Sequence, residues 1–189
     1  MSAGLRFEPL TSERWRDLER LFGGRGACGG CWCQSWRKRR ADFVKDKGDA
    51  NRASLKALAD ASDPPPGILA YDGETPCGWC AVAPRSAYVF LERSRVLRPL
   101  DDTPVWSVSC LFVDRAYRNR GLSVELLRAA VTFAASRGAR VVEGYPTDVK
   151  KGALPAPFVW TGVLGAFLKA GFHEMPRWSE NRPIVRCDC

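Results

Sequence analysis

The residues best suited to chemistry form a short basic segment, Asp114–Gly121, that holds three arginines. It joins a run of β-branched and aromatic residues, Val105–Val113, to a stretch whose apolar residues recur at helical spacing. The first backbone N–H groups of a helix have no intrahelical partners, and the helix dipole places partial positive charge beside them. Arg115, Arg118 and Arg120 add full charges at the same point. The segment therefore predicts a phosphate or pyrophosphate site, with a basic, solvated turn as the alternative.

The same segment carries a family resemblance. Leu111–Ser123 resembles the acyl-CoA-binding motif of the GNAT superfamily of N-acyltransferases, in which Arg or Gln, two residues, Gly, one residue and then Gly or Ala open a helix. Arg118 and Gly121 match this pattern, and Ser123 takes the place of its last small residue. The later pair Gly171-Phe172 also resembles a segment of the family. The resemblance covers the second half of the chain well and the first half by topology.

The resemblance implies a fold for the whole chain. It predicts an α/β fold of the α+β type, with a central mixed, mostly antiparallel sheet that contains one parallel βαβ pair and is flanked by helices. The parallel pair would join Val105–Val113 to Ala139–Tyr145 through the helix between them. One GNAT-like acyltransferase domain would span residues 1–189, a length within the range of single domains.

The resemblance further implies acetyl-CoA, or another acyl-CoA, as co-substrate. Its diphosphate would rest on the start of the helix, and the backbone of the strand would pair with its pantetheine arm. The strand residues implied in binding are Leu111, Phe112 and Val113. The residues implied at the start of the helix are Arg118, Asn119, Arg120, Gly121, Leu122 and Ser123.

Acyl transfer in this family is direct, so an amine would attack the thioester while the backbone near Leu111 polarises the carbonyl oxygen. The attacking amine must be neutral, and a general base within its reach would help. Glu143 is the candidate base, because it is an acid inside an apolar strand beside the expected opening of the sheet, where desolvation raises a carboxyl pKa. Side chains alternate along a strand, so an outward-facing, solvated Glu143 is the alternative.

The departing thiolate needs a proton, which a tyrosine of the last helix often supplies in the GNAT family. Alignment to Gly171-Phe172 places Phe167 at that position, so the usual general acid is missing there. Tyr145, Cys110 or water would replace it, or the thiolate would leave unassisted. We interpret His173, the only histidine, as structural.

The eight cysteines would be thiols, metal ligands or catalytic groups in a reducing compartment, rather than a disulfide framework. Cys28 and Cys31 have the spacing of zinc ligands, and so have Cys77 and Cys80. The second pair lies in an expected strand, and no histidine or further pair supports a metal site. We therefore favour ordinary thiols and assign no metal ligands. The GNAT resemblance adds a third interpretation, in which the tryptophan-flanked segment around Cys31 borders the acceptor pocket.

Charge and hydropathy narrow the choice of partners. The formal net charge of +8 favours anionic partners but does not choose among them. Arg37–Arg40 is a basic run that could contact nucleic acid, yet a solvated helix start is favoured because the arginines do not alternate with aromatic residues on one platform. No apolar run approaches membrane-spanning length, and Met1–Arg6 lacks an apolar signal core, which predicts a cytoplasmic protein without a membrane partner.

These expectations point to transfer of an acetyl or other short acyl group from acyl-CoA to the primary amine of a small molecule. Acylation of a protein or peptide amine is a variant of this function. A nucleic-acid-binding module and an acyl-CoA-binding regulatory protein without turnover are the alternatives from other classes. The sequence specifies neither the acceptor nor the acyl chain, and a homodimer is compatible with it.

Local patterns predict the elements outside the central unit. They are a strand at Leu5–Leu10, a helix over Ala41–Ala61 interrupted at Gly48, a hairpin of Gly67–Tyr71 and Cys77–Ala83, a loop at Val149–Pro157, and a terminal hairpin of Phe172–Met175 and Pro183–Arg186.

Overall fold

The computed structural model describes residues 4–61, 63–149, 158–179 and 182–189, and within these residues all strands join in one seven-stranded sheet. The strands are β1 (Leu5–Pro9), β2 (Gly67–Asp72), β3 (Thr75–Pro84), β4 (Trp106–Val113), β5 (Val141–Gly144), β6 (His173–Glu174) and β7 (Val185–Asp188). The helices in the same residues are α1 (Trp15–Phe22), α2 (Arg40–Lys45), α3 (Asp49–Ala61), α4 (Val89–Arg93), α5 (Leu122–Ser136) and α6 (Leu164–Lys169).

The sheet has the strand order β1-β2-β3-β4-β5-β7-β6. Neighbouring strands are antiparallel except β4 and β5, which are parallel. A parallel pair requires a crossover connection, and α5 supplies it between β4 and β5. The fold is thus α/β, with a mostly antiparallel sheet, one parallel βαβ pair and flanking helices, which confirms the predicted fold class.

β4 contains one extra residue at the point where its pairing with β5 ends. Cys110 pairs with Ala81 of β3, and Val108 pairs with the next residue, Val82. Ser109 therefore has no opposite residue, which makes it the extra residue of a β-bulge. The parallel pairing of β4 with β5 is confined to the residues before this bulge. Beyond it the second half of β4 has no partner in β5, and we call the space along this unpaired edge the gap in the sheet.

On one face of the sheet, the core lies between the strands and the apolar side of helix α5. Its residues Leu122, Leu126 and Leu127 are at most 4% exposed and pack against β2, β3 and β4. Gly78 of β3 permits their close approach, because a Cβ at this position would stand 2.9 Å from Leu126 Cδ1. Full burial of one leucine side chain contributes about 1.5–3 kcal/mol. This packing therefore fixes where α5 begins relative to the end of β4.

Aromatic side chains form the core on the opposite face. The rings of Trp15 and Trp32 stack with their centres 5.9 Å apart, and Phe22 packs edge-on against Trp79 of β3 at 6.2 Å. Trp32 and the following Cys33 have positive φ values of 41° and 53°, so the chain between α1 and α2 turns tightly here. These contacts hold that segment against β3 and β4.

The remaining sequence predictions concern single segments. The predicted helix over Ala41–Ala61 is divided into α2 and α3 at Gly48, whose φ is 92°. The terminal hairpin is formed by β6 and β7, but β7 lies between β5 and β6 in the sheet. The predicted loop at Val149–Pro157 lies outside the described residues from residue 150 onward. In the described part of the chain, none of the helices combines the length and the apolar character that crossing a membrane requires.

Candidate active site

A cavity of about 730 Å³ opens beside the second half of β4. One side of it is formed by β4 and the start of α5. The other sides come from two segments that are distant in sequence, one between α1 and the first turn of α2, the other just before α6. Side chains on these two segments include Cys31, Trp36, Arg40, Phe43 and Trp160.

Most of the residues expected to contact the cofactor line this cavity. They are Leu111, Phe112, Val113, Arg118, Asn119, Gly121, Leu122 and Ser123. The exception is Arg120, whose guanidinium carbon lies 5.9 Å from the centre of the Tyr117 ring and which is not part of the lining. The structure therefore brings the motif together on one side of the cavity.

The turn before α5 has the backbone geometry of an anion site. Asn119 and Gly121 have positive φ values of 60° and 84°, a region that glycine enters freely and asparagine more readily than most residues. The Gly121 carbonyl accepts a hydrogen bond from the Val124 N–H at 2.9 Å. The amides of Leu122 and Ser123 precede this first helical bond and are therefore donors available to a ligand. A phosphate group would meet these donors and the positive end of α5.

Side-chain contacts hold this turn in place. Asp114 Oδ1 accepts a hydrogen bond from the Ala116 N–H at 2.8 Å. Arg118 Nε donates to the Val113 carbonyl oxygen at 3.0 Å, which ties the arginine to the end of β4. Arg118 is otherwise exposed, so its charge is available beside the Leu122 amide.

The gap between β4 and β5 is bridged by the segment Val159–Val163. The Leu111 N–H donates to the Trp160 carbonyl oxygen at 2.7 Å, and the Thr147 N–H donates to the Gly162 carbonyl oxygen at 2.8 Å. Gly162 has a φ of 88°, and a Cβ there would stand 2.9 Å from Leu111 Cδ1. The backbone N–H that we expected to polarise the thioester is thus already paired within the chain.

Two thiols meet at the floor of the cavity. Cys33 Sγ donates to Cys110 Sγ at 3.1 Å, and the Trp79 indole N–H donates to Cys33 Sγ at 3.2 Å. The contact with Cys110 and burial raise the pKa of the Cys33 thiol well above its usual value. The hydrogen bond with Cys33 and burial likewise raise the pKa of Cys31. Cys31 and Cys33 are therefore protonated at neutral pH, and the Cys110 sulfur accepts a hydrogen bond rather than facing an ion.

The two cysteine pairs with zinc-like spacing lie apart. Cys77 and Cys80 are buried in the core beneath α5, whereas Cys28 and Cys31 line the cavity. Among the residues that the structure describes, no group of three or more His, Cys, Asp or Glu side chains could hold a metal ion. All eight cysteines are free thiols.

Glu143 lies in a buried ionic network and does not line the cavity. Its side chain is 1% exposed and accepts hydrogen bonds from Arg85 Nη1 at 3.2 Å and from Arg186 Nε at 2.8 Å. The Tyr145 hydroxyl donates to Glu143 Oε1 at 2.6 Å and accepts from Arg85 Nη1 at 2.7 Å. Burial, followed by the charge of Glu143, raises the pKa of Tyr145. Of the three expected catalytic residues, only Cys110 reaches the cavity wall.

Neither arginine of this network was predicted from the sequence. Arg85 is 8% exposed and also donates to the carbonyl oxygens of Leu91 and Leu97, at 3.1 and 2.6 Å. Arg186 faces Glu143 directly across the β5–β7 pair. An acid within an apolar strand requires a buried cation, and pairing β5 with β7 would have identified Arg186 as one.

Phe167, at the position where we expected the tyrosine of the family, has no proton to donate. Phe167 is 0% exposed and packs edge-on against Phe172 with the ring centres 5.0 Å apart. His173 lies in the edge strand β6 and is exposed.

The sequence of residues 32–151 matches the family model described as the acetyltransferase (GNAT) family. No curated protein matches the sequence.

Solved structures with a similar fold span the whole chain. An acetyltransferase of the GNAT family from Listeria monocytogenes is 10% identical with a TM-score of 0.58, over 100% of this chain and 98% of that one. The PaiA N-acetyltransferase from Thermoplasma acidophilum, solved in complex with coenzyme A, is 11% identical with a TM-score of 0.54, over 98% and 99%. A polyamine N-acetyltransferase of Drosophila melanogaster, which forms N-acetylagmatine, is 9% identical with a TM-score of 0.56, over 98% and 100%. At these identities the similarity shows the fold.

Proposed function

Because the chain belongs to the GNAT acetyltransferase family and is an acyl-CoA-dependent N-acetyltransferase, we propose that it acetylates the primary amine of a small molecule by direct transfer. The observation that supports this proposal most is the single cavity shared by the motif at the start of α5 and by the aromatic and thiol side chains of the other walls. One cavity of this kind accommodates donor and acceptor side by side, and proximity then supplies much of the rate. A cytoplasmic location, where all eight thiols stay reduced, belongs to the proposal.

The residues at the start of α5 fit the diphosphate of acetyl-CoA. The amides of Leu122 and Ser123 are unpaired donors, and Gly121 leaves open space where another residue would carry a Cβ. Arg118 adds a full positive charge beside them. The Leu111 and Val113 backbones would pair with the pantetheine arm, once the Trp160 carbonyl releases the Leu111 N–H.

Cys110 is our candidate for the proton donor at the reaction centre. Cys110 lines the cavity one residue before Leu111, and its sulfur accepts a hydrogen bond from Cys33, which leaves its own S–H free to donate. We assign Cys110 the protonation of the departing thiolate, while the released Leu111 N–H would stabilise charge on the thioester oxygen. Among the described residues, no carboxylate or imidazole lines the cavity, so the amine loses its proton to water.

Binding of acyl-CoA without turnover is the second candidate function. The absence of a hydroxyl at Phe167 and the burial of Glu143 in its ionic network favour it.

Titration with acetyl-CoA followed by an amine screen with free-thiol detection tests the proposal. We expect saturable binding of acetyl-CoA and amine-dependent release of the CoA thiol. Binding without thiol release for any amine would favour the second candidate. No binding of acetyl-CoA, with nucleic-acid binding of steep salt dependence instead, would refute both.

A further inference from the structure

Three of the four cations in the basic run Arg37–Arg40 contact other groups of the chain, two of them carboxylates. Its first arginine lies 4.8 Å from the centre of a tyrosine ring and donates to a backbone carbonyl oxygen. Lys38 Nζ lies 2.8 Å from a carboxylate oxygen of Asp46, and Arg39 Nε lies 2.8 Å from one of Asp42. These three side chains therefore have partners within the chain.

Arg40 differs from its three neighbours. It is exposed, and within the described residues it makes no ion pair or hydrogen bond. It also lines the cavity, as do Trp36 and Phe43 of the neighbouring sequence and the motif at the start of α5. No counter-charge for this cation is found in the described part of the chain, so the cation is available to an anionic group of the acceptor.

The rest of the acceptor side is apolar, aromatic or neutral. Its side chains include Trp36, Phe43 and Trp160, together with protonated thiols. Among the described residues, no Asp or Glu lines the cavity, and residues 150–157 contain no acidic residue either. A polyamine would therefore find no carboxylate for its second ammonium group and would be repelled by Arg40.

We propose that the acceptor is an amine that also carries a carboxylate on an apolar or aromatic body, and that Arg40 binds this carboxylate. This inference rests on the proposed function, since it concerns the second substrate of the same cavity. An arginine and a carboxylate form a charge-assisted, bidentate pair, which orients the acceptor as well as holding it. The aromatic side chains would then contact the apolar body.

Matched acceptors test this assignment. A panel of amino acids, each compared with its own amide, changes the carboxylate while leaving the side chain and the amine in place. The α-amine of an amino acid amide is less basic than that of the free amino acid, so a larger fraction of it is neutral. If the carboxylate is not recognised, the amide should therefore have the higher kcat/KM. We expect kcat/KM to be about tenfold higher for the preferred acid than for its amide, the effect of one charge-assisted hydrogen-bonded pair. Spermidine serves as the polycationic acceptor and should be the poorest.

Two variants on neighbouring residues assign the effect to Arg40. Arg40→Gln should abolish the preference for the acid, whereas Arg39→Gln, which removes a cation already paired with Asp42, should leave it unchanged. Arg40→Lys should restore part of it. The affinity for coenzyme A should be the same in all three variants.

The outcomes separate this inference from the proposed function. Turnover of amines without an acid preference, or with one that Arg40→Gln does not alter, would overturn the inference alone. Loss of coenzyme A affinity in Arg40→Gln would also overturn it, because Arg40 would then bind a cofactor phosphate. Binding of acetyl-CoA without turnover of any amine would refute the proposed function, and the inference with it.

Discussion

The backbone N–H of Leu111 donates to the Trp160 carbonyl oxygen at 2.7 Å, on the edge of β4 that faces the gap in the sheet. The same edge would hold the pantetheine arm of the cofactor. The chain therefore pairs its own strand edge where an acyl donor would otherwise pair. Release of this bond is the first step that cofactor binding requires in the proposed mechanism.

Replacing Gly162 should loosen this contact. In Gly162→Ala the new Cβ would stand 2.7 Å from Phe167 Cε2 and 2.9 Å from Leu111 Cδ1, at a φ of 88°. We expect a loss of about 1–3 kcal/mol in the free energy of unfolding and faster hydrogen exchange at the Leu111 amide, measured by NMR. Gly165→Ala is the matched control, since a Cβ there meets nothing within 4 Å, and it should change neither quantity adversely. Unaltered exchange at Leu111 in Gly162→Ala would contradict the assignment.

Binding of the diphosphate at the start of α5 can be tested with two glycines that have nearly the same φ. Gly121 and Gly138 flank this helix with φ values of 84° and 83°, and neither would bring a Cβ within 4 Å of another group. Replacement of either by alanine should cost about 1 kcal/mol of stability, because the left-handed conformation is unfavourable for alanine. Only Gly121→Ala should weaken binding of coenzyme A, measured by calorimetry. Equal effects of the two variants on this affinity would place the diphosphate elsewhere.

Removal of the Cys110 thiol should slow the chemical step. We expect kcat of Cys110→Ala to fall by about a hundredfold at saturating acetyl-CoA, the usual effect of losing one proton donor, with coenzyme A affinity preserved. Cys110→Ser keeps a donor and should retain more activity. Cys28→Ala removes another thiol of the cavity wall and should leave kcat close to wild type. An unchanged kcat in Cys110→Ala would exclude this thiol as the donor.

The buried network makes Glu143 a determinant of stability. Glu143→Gln would leave Arg85 and Arg186 without their shared counter-charge and should lower the free energy of unfolding by about 3–5 kcal/mol. Glu92→Gln is the control, because Glu92 is 54% exposed and lies 3.8 Å from Arg85 Nε; it should cost under about 0.5 kcal/mol. Denaturant unfolding measures both. A large loss of kcat without loss of stability would instead support the role of Glu143 as general base.

The carboxylate of Asp101 should make the free energy of unfolding depend on pH. Arg186 donates to both of its carboxylate oxygens, at 2.6 and 3.2 Å, and this contact holds the pKa of Asp101 well below its usual range. Because the folded-state pKa is the lower one, the stabilisation is complete above the unfolded-state value of about 3.9 and is lost as the pH falls below it. Asp101→Asn should therefore be less stable than wild type at pH 7, with the difference shrinking below about pH 4.

Thermal unfolding across this pH range measures the difference. Asp102→Asn is the control, because it removes a neighbouring carboxylate while the ion pair of Arg186 is with Asp101. The unfolding temperature of this variant should depend on pH as that of the wild type does. A difference between Asp101→Asn and wild type that persists unchanged at low pH would contradict the prediction.

Local patterns were sufficient for the central unit. The apolar run before Asp114, the arginines and the leucines at helical spacing determine β4, the turn and α5 through short-range physics. The partner strand followed from the apolar run Ala139–Tyr145 and from the helix that connects the two runs. Gly48 was recognisable as a helix interruption because glycine is unfavourable in a helix interior, and in the structure it has a φ of 92° that glycine adopts without strain.

Long-range pairing accounts for what the sequence analysis missed. Glu143 was expected at the cavity because its strand is apolar, but its partners Arg85 and Arg186 come from segments far away along the chain. The contact of Cys33 with Cys110 likewise depends on tight turns at positive φ in residues that are not glycine. Neither relationship has a periodic signature in the sequence.

The unpaired Ser109 reverses the inside-outside pattern of its strand. Val108 before it packs beneath α5, whereas Cys110 after it packs beside Cys33 on the other face. The candidate role of Cys110 depends on this bulge: if Ser109 were paired as in a regular strand, Cys110 would lie on the same face as Val108, beneath α5 and away from Cys33. The bulge therefore directs the thiol toward the cavity.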